Sequence, residues 1–219
     1  MITIAEAAKR IIERSRYLQE ALEKKLINTS SLARYIKPEL EEMLVKKTSN
    51  SSIIMAIRRI VKSLKPHFIY KNIFKNTPDM ITRSNLSEIN IANSKYLLEK
   101  FPDLIKLSKS QTESFLTITE GVFETTIILS RDLYPLVKKL FKDETIVDEF
   151  HDLCSITIRL PKEAIFNPGV FYFFLKSLAW EGVNIIEVVS AYRELTLILE
   201  RKDTNKAFSI VQSLFPQKI

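Results

Sequence analysis

Apolar residues recur along this chain with two different periods, and the change from one to the other divides it. From Thr3 to about Leu64 the period is helical. Thr3 and Glu6 form a capping box, and Ile4, Ala8, Ile11, Leu18 and Leu22 keep to one face of a helix predicted to run to about Lys25. A second, short helix starts at Thr29 or Ser30 and turns Leu32, Ala33 and Ile36 inward, and Pro38 is placed to open a third through Leu40, Met43 and Leu44. After the polar run from Thr48 to Ser51, a fourth helix buries Ile53, Ile57, Ile60, Val61 and Leu64. Its Arg58, Lys62 and Lys65 line a second face.

From Ser155 the pattern is mixed. Ile156, Ile158 and Leu160 alternate with Thr157 and Arg159, the period of a strand with one buried face. Asn167 and Pro168 pair a capping side chain with a residue suited to the first helical position, and Phe171, Phe174, Leu175 and Leu178 follow at helical spacing. Gly182 is the glycine of a helix end. Asn184 to Ala191 is a β-branched run closed by a turn at Tyr192 to Glu194, Leu195 to Leu199 returns as a strand, and Asp203 caps a helix carrying Ala207, Ile210, Val211 and Leu214. The order β, α, β, β, α is that of a split βαβ, ferredoxin-like unit.

The middle of the chain repeats that unit. Glu124 to Leu129 matches Glu194 to Leu199 at an offset of 70, Ile89-Asn90-Ile91 matches Ile156-Thr157-Ile158 at 67, and Leu140-Phe141 echoes Leu214-Phe215 at 74. Phe115 to Val122 stands where the second unit has Ile185 to Tyr192, and a helix is predicted around Lys95 to Lys106, interrupted by Pro102. The fold class expected is therefore α+β. A basic all-helical domain over 1–70 precedes two ferredoxin-like modules, over 78–149 and 150–219, with residues 65 to 77 as a connector whose Phe68, Tyr70 and Phe74 pack between the flanking units.

The loop Phe166-Asn167-Pro168-Gly169-Val170, followed by a helix ending Ala179-Trp180-Glu181-Gly182-Val183-Asn184-Ile185, resembles the ACT domain, most nearly the form attached to aspartate kinases. The resemblance spans about a third of the chain. It implies a small-molecule sensor, usually of an amino acid, with the ligand held between the first loop and the second strand by Asn167, Pro168, Gly169, Val170, Asn184 and Ile185, often at an interface between domains. The residues themselves are compatible with that. Gly169 lacks a Cβ, so a ligand can approach the backbone where unpaired N–H groups and the positive end of the helix dipole favour a carboxylate. Pro168 and Gly169 also read simply as a tight entry into the helix. The first copy has Ile91-Ala92-Asn93-Ser94-Lys95 in place of the Pro-Gly loop and reads as a degenerate partner that completes an interface.

Charge alters the picture at one end. Residues 1 to 70 hold 14 Lys and Arg against 7 Asp and Glu, a net of +7, while the rest hold 33 − 14 = 19 basic and 26 − 7 = 19 acidic residues. Such asymmetry points to a nucleic acid or another anionic surface. Two short helices, a polar turn and a helix with a basic face make a helix-turn-helix-like pattern. In it Ser51, Ser52 and Met55 face the major groove of double-stranded DNA, and Arg58, Arg59 and Lys62 reach bases or phosphates. The same residues also suit a helical bundle with a solvated basic face or a dimerisation element.

The remaining chemistry is sparse. With 46% hydrophobic and 27% charged residues the composition is that of a globular protein, and no apolar run has membrane-spanning length or signal-peptide form, so a cytoplasmic protein is expected. The single Cys154 excludes an intrachain disulfide and reads as a small core residue. His151, Asp152 and Cys154 are neighbours whose side chains should diverge along a strand, three glycines cannot build the usual phosphate cradle, and no carboxylates cluster for a metal. No enzyme activity and no cofactor are expected. Two readings remain: a ligand-responsive transcription regulator of amino-acid metabolism, or a regulatory or scaffold subunit that does not bind DNA and pairs with a metabolic enzyme. Either is expected to be a homodimer, because helices cover one face of such a sheet and leave its other face and edges open.

Overall fold

The computed structural model describes residues 2–63, 73–74, 76–110 and 114–215. The chain divides into two compact units, Met1–Ile69 and Tyr70–Ile219. No described helix is long and apolar enough to cross a membrane.

The first unit contains α1 (Ile4–Arg14), α2 (Arg16–Glu23), α3 (Thr29–Leu44) and α4 (Asn50–Ser63). The capping box forms: Thr3 N–H donates to Glu6 Oε2 at 2.8 Å and Glu6 N–H to Thr3 Oγ1 at 3.2 Å. The helix expected to continue to Lys25 instead breaks at Ser15, whose backbone is extended. The buried Gln19 accounts for the break. Its amide donates to the carbonyls of Ile12 at 3.3 Å and Glu13 at 2.7 Å, supplying donors that a continuous helix would have provided. The two short helices expected around Pro38 are, conversely, one helix of 16 residues. Pro38 and Arg34 are both exposed, so the backbone bond that proline removes is lost on the water side. A helix-turn-helix built on two short helices is therefore not formed. A long α3, capped by Asn28 through Ser30 and Ser31 N–H at 2.9 and 3.1 Å, leads into α4 through a turn that begins at the left-handed Val45. Ile12, Ile36, Leu40, Ile53 and Ile57 form its core.

The second unit is built on one antiparallel six-stranded sheet. Its elements are β1 (Met80–Ala92), α5 (Phe101–Lys109), β2 (Leu116–Glu120), β3 (Glu124–Ser130), α6 (Tyr134–Leu140), β4 (Ile146–Arg159), α7 (Val170–Trp180), β5 (Glu187–Ala191), β6 (Glu194–Glu200) and α8 (Thr204–Ser213). The strand order is β2-β3-β1-β4-β6-β5. Residues 67 positions apart take equivalent places in the two central strands, so Ile89 and Ile91 correspond to Ile156 and Ile158. Asn85 and Asp152, also 67 apart, both have positive φ, 61° and 53°. These residue types tolerate the left-handed region best after glycine, and both stand where the β1–β4 pairing shifts register.

The two central strands are shared. Ile146 to Phe150 pairs with Ile91 to Glu88 and closes the first half, whereas Met80 to Arg83 pairs with Ile158 to Ser155 and closes the second. The division expected between residues 149 and 150 thus falls inside a continuous strand, because the second half takes its fourth strand from upstream of the first. Phe74 enters in the same way. Its ring lies 5.8 Å from that of Phe174 and 5.1 Å from that of Phe215, so it packs in the second half's core. Phe68 and Tyr70 lie outside the described residues.

Helix details follow local chemistry. Pro102 stands in the first turn of α5 rather than interrupting it, where its missing N–H costs nothing. The buried face of α7 is Val170, Phe174 and Leu178, with Phe171 turned outward. Gly182, at φ 71°, ends α7 as expected: its N–H bonds to Ala179 O and that of Val183 to Leu178 O, both at 3.0 Å, the paired bonds of a Schellman motif. Asp203 does not cap α8 by its side chain, since a 3-10 turn at Arg201–Asp203 precedes that helix.

The helix-free side of the sheet is not an open plane. Leu86, Ile128, Leu153 and Ile198 form a second small core, with Phe115 and Val189 packed on it from the two ends of the strand order. These four residues are at most 1% exposed on a face that carries no helix, so the sheet curls over it, which corrects the expectation that this face is left free. The curl encloses Glu88, 1% exposed, whose Oε1 accepts from Asn90 Nδ2 at 2.8 Å while Oε2 has no hydrogen-bond partner among the described residues. Burial pushes its pKa up, and Glu187 and Asp148 push the same way.

Candidate functional site

Beyond β4 the chain runs through a 3-10 segment, Lys162–Phe166, into the loop Asn167-Pro168-Gly169 and then α7. Asn167 is not the helix cap. Its Nδ2 donates to the Glu163 carbonyl, and Gly169 takes the capping position at φ 90°, ψ 6°, a conformation that favours glycine. Gly169 O accepts from Phe173 N–H at 3.0 Å, and no side chain caps the helix, so the N–H groups of Val170, Phe171 and Tyr172 have no intrahelical acceptor. These donors lie beside a cleft of about 400 Å³ lined mainly by apolar groups, among them Leu160, Ile165, Val170 and Phe171, with Ser190 and Tyr192 across it.

Of the residues predicted to hold a ligand, Asn167, Gly169 and Val170 line this cleft. Pro168, Asn184 and Ile185 do not. The difference is one of strand direction. β4 and β5 both run antiparallel to β6, so the end of β5, Ser190, meets the end of β4, while Asn184 and Ile185 precede its start. The Tyr192-Arg193 turn was legible as a turn, but its closeness to the Gly169 loop follows only from the pairing.

The first half builds its corresponding loop differently. Asn93 N–H bonds to Phe123 O at 2.9 Å, Asn93 Nδ2 to Gly121 O at 2.8 Å, and Thr125 Oγ1 donates to Asn93 Oδ1 at 2.7 Å. One asparagine thus pins the loop to the β2–β3 hairpin by side chain as well as backbone, where the second half has Leu160, whose N–H bonds to Arg193 O at 2.6 Å.

His151, Asp152 and Cys154 diverge. His151 Nδ1 lies 3.1 Å from Ser87 Oγ, Asp152 pairs with Arg131, and Cys154 is buried with Sγ 2.6 Å from Thr204 Oγ1, its thiol pushed up in pKa by burial. In the helical unit Arg58, Arg59 and Lys62 are exposed on α4 and form no ion pair among the described residues. Ser51 and Ser52 are exposed as well, but their hydroxyls engage Ser49 Oγ at 2.9 and 2.8 Å. Lys65 lies outside the described residues.

No protein-family model matches the chain, and no curated protein matches it in sequence. Its fold, in contrast, has solved counterparts. The sheet with its helices has the fold of ACT-type regulatory domains, and in particular that of the regulatory parts of aspartate kinases. It is similar to the aspartate kinase of Clostridium acetobutylicum, with a TM-score of 0.53 and 12% identity over 64% of this chain and 35% of that one. It is similar to the ligand-free regulatory subunit of aspartate kinase from Thermus thermophilus, with a TM-score of 0.52 and 13% identity over 64% of this chain and 100% of that one. The aspartate kinase of Synechocystis matches with a TM-score of 0.52 and 15% identity over 65% of this chain and 28% of that one. The match thus takes in about a third of each whole kinase and the full length of the regulatory subunit. At these identities the likeness is one of fold.

Proposed function

We propose that this protein is a non-catalytic regulatory subunit that senses an amino acid through the second half of its sheet unit and passes the signal to a partner enzyme of amino-acid metabolism. The observation that carries the reading is the Gly169 cleft, where backbone N–H donors at a helix start adjoin an apolar wall. That combination suits an α-carboxylate on the donors and an apolar side chain in the cleft. Each half of the sheet acts as an ACT-like module, the first completing the unit and the second binding. The edge strands β2 and β5 offer the surface for a homodimer.

The test is a thermal-unfolding screen of the full chain against the twenty L-amino acids. At a hundredfold excess over Kd a bound amino acid stabilises by about 2.7 kcal/mol, so at least one should raise Tm by several degrees. Ser190→Trp, which fills the cleft from an exposed position, should abolish the rise. A flat response to all twenty rejects the reading.

A second reading, DNA binding by the helical unit, draws on Arg58, Arg59 and Lys62, which are exposed and form no ion pair among the described residues. Fluorescence anisotropy with mixed duplex DNA checks it. Binding that falls steeply with salt and is lost in Arg58→Ala/Lys62→Ala supports it, and no binding at low salt removes it.

A further inference from the structure

The repeat places two further clefts in equivalent positions, and their charges have opposite fates. One, of about 400 Å³, is lined by Ala92, Ser94 and Tyr96 from beyond β1 and by Asp143, Glu144 and Thr145 from before β4. The other, of about 530 Å³, is lined by Arg159, Pro161 and Glu163 from beyond β4 and by Asn76, Thr77 and Pro78 from before β1. Each residue of the first set has its counterpart 67 positions away in the second.

In the first-half cleft the charges close on one another. Lys100 Nζ lies 2.9 Å from Glu144 Oε1, and Ser94 Oγ donates to Glu144 Oε2 at 2.7 Å. The Glu144 side chain is 7% exposed, and these bonds, that of Ser94 first, hold its carboxyl below the usual carboxylate range. The pair is a structural tie with little left to offer a ligand.

The second-half cleft is open. It carries Arg159, Arg193, Asp79 and Glu163, where the repeat has Ala92, Phe123, Ile146 and Tyr96 in the first half. Arg193 is held in place by its Nε, which donates to Leu160 O at 3.0 Å and leaves both terminal amino groups for another acceptor. Neither Arg193 nor Glu163 has an ion-pair partner among the described residues. Arg159 pairs with Asp79 at 3.9 Å, but those side chains are 63% and 83% exposed, a geometry that contributes little. Apart from that loose, solvent-exposed contact, the two guanidiniums and two carboxylates of this cleft form no ion pair among the described residues.

We propose that this cleft is a binding site for a small zwitterion, an α-amino acid, separate from the cleft at Gly169. The carboxylate sits on the fork of Arg193 with Arg159 beside it, and the ammonium faces Asp79 and Glu163. A simple anion gains from the two guanidiniums but is opposed by the two carboxylates, and a simple cation meets the reverse. A zwitterion satisfies both pairs, and arginine and carboxylate bonds of this kind are the strong charge-assisted type. The inference is independent of the role proposed for the Gly169 cleft, since the two clefts have no lining residue in common.

The experiment is an amide NMR titration of the full chain with each L-amino acid, and with acetate and methylamine as the two halves of the zwitterion. Expected are shifts at Asp79, Arg159, Glu163 and Arg193 with an amino acid, absent with either half at equal concentration, and affinity reduced on the order of tenfold or more by Arg193→Gln. Glu163→Gln, at an exposed position, carries the same test if Arg193→Gln disturbs the fold. Shifts confined to Asn167 to Phe171 and Ser190 overturn the inference and leave the proposed sensor standing. Acetate acting as well as the amino acids overturns it too, and no shifts anywhere reject both.

Discussion

Truncating Phe74 tests whether the second half of the sheet unit depends on residues that precede the first. Phe74 is 3% exposed, and its ring meets Phe215 at 5.1 Å, Phe174 at 5.8 Å and Phe173 at 6.3 Å, so it stands among aromatic residues from α7 and the end of α8. Phe74→Ala removes a buried ring and leaves a cavity that three fixed neighbours cannot easily fill, a loss of about 3–5 kcal/mol. Edge-on pairs between the rings place the result toward the upper end, since each is worth about 0.5–1.5 kcal/mol beyond burial. At about 2–4 °C per kcal/mol for a unit of this size, Tm should fall by at least ~6 °C. Urea unfolding followed by circular dichroism gives the free energy, and hydrogen exchange read by mass spectrometry gives the place: protection should fall in α7 and α8. Phe123→Ala, at an 82% exposed ring, is the control and should stay within about 0.5 kcal/mol. A loss below about 1 kcal/mol for Phe74→Ala, or protection lost before Met80 with α7 and α8 unchanged, would refute the shared construction of the second half.

Glu88→Gln should change how stability depends on pH. Burial raises the folded-state pKa of Glu88 above its ordinary 4.5, so its contribution is fully present below that value and is lost as pH rises through the raised one. Urea midpoints measured from acid to neutral pH should therefore decline less in Glu88→Gln than in the native protein, and parallel curves would count against a buried, protonating carboxyl. Gly182→Ala introduces a Cβ that meets nothing within 4 Å but must adopt φ 71°. The cost is then backbone strain alone, about 1–2 kcal/mol, read as a Tm lower by a few degrees, with Gly182→Asn losing less; an unchanged Tm would deny the left-handed helix end.

Local signals in this chain identified elements where the chemistry is local. Thr3 with Glu6 and Gly182 after α7 mark helix ends through bonds made within a few residues, and alternating Ile156 and Ile158 mark a strand by period alone. The repeat was visible too, because equivalent positions in the two halves, such as Ile89 with Ile156 and Ile91 with Ile158, are buried alike and keep apolar residues. Where the reading failed, a distant or competing partner decided. Gln19 breaks the first helix by bonding to Ile12 and Glu13, solvent excuses Pro38 inside α3, and Asn167 leaves the cap to Gly169.

The amino-acid order by itself therefore determined the element types, the α+β class, the duplicated β-α-β-β-α run and half of the residues first assigned to the Gly169 cleft. The tertiary structure decided which strand closes which half, the curl that buries Glu88, and the meeting of Ser190 and Tyr192 with the Gly169 loop. The reason is physical. Caps and hydrophobic periods are satisfied within a turn or a strand, whereas strand order, sheet curl and the far wall of a cleft are set by pairings between residues tens of positions apart, which leave no local mark on the residues that make them.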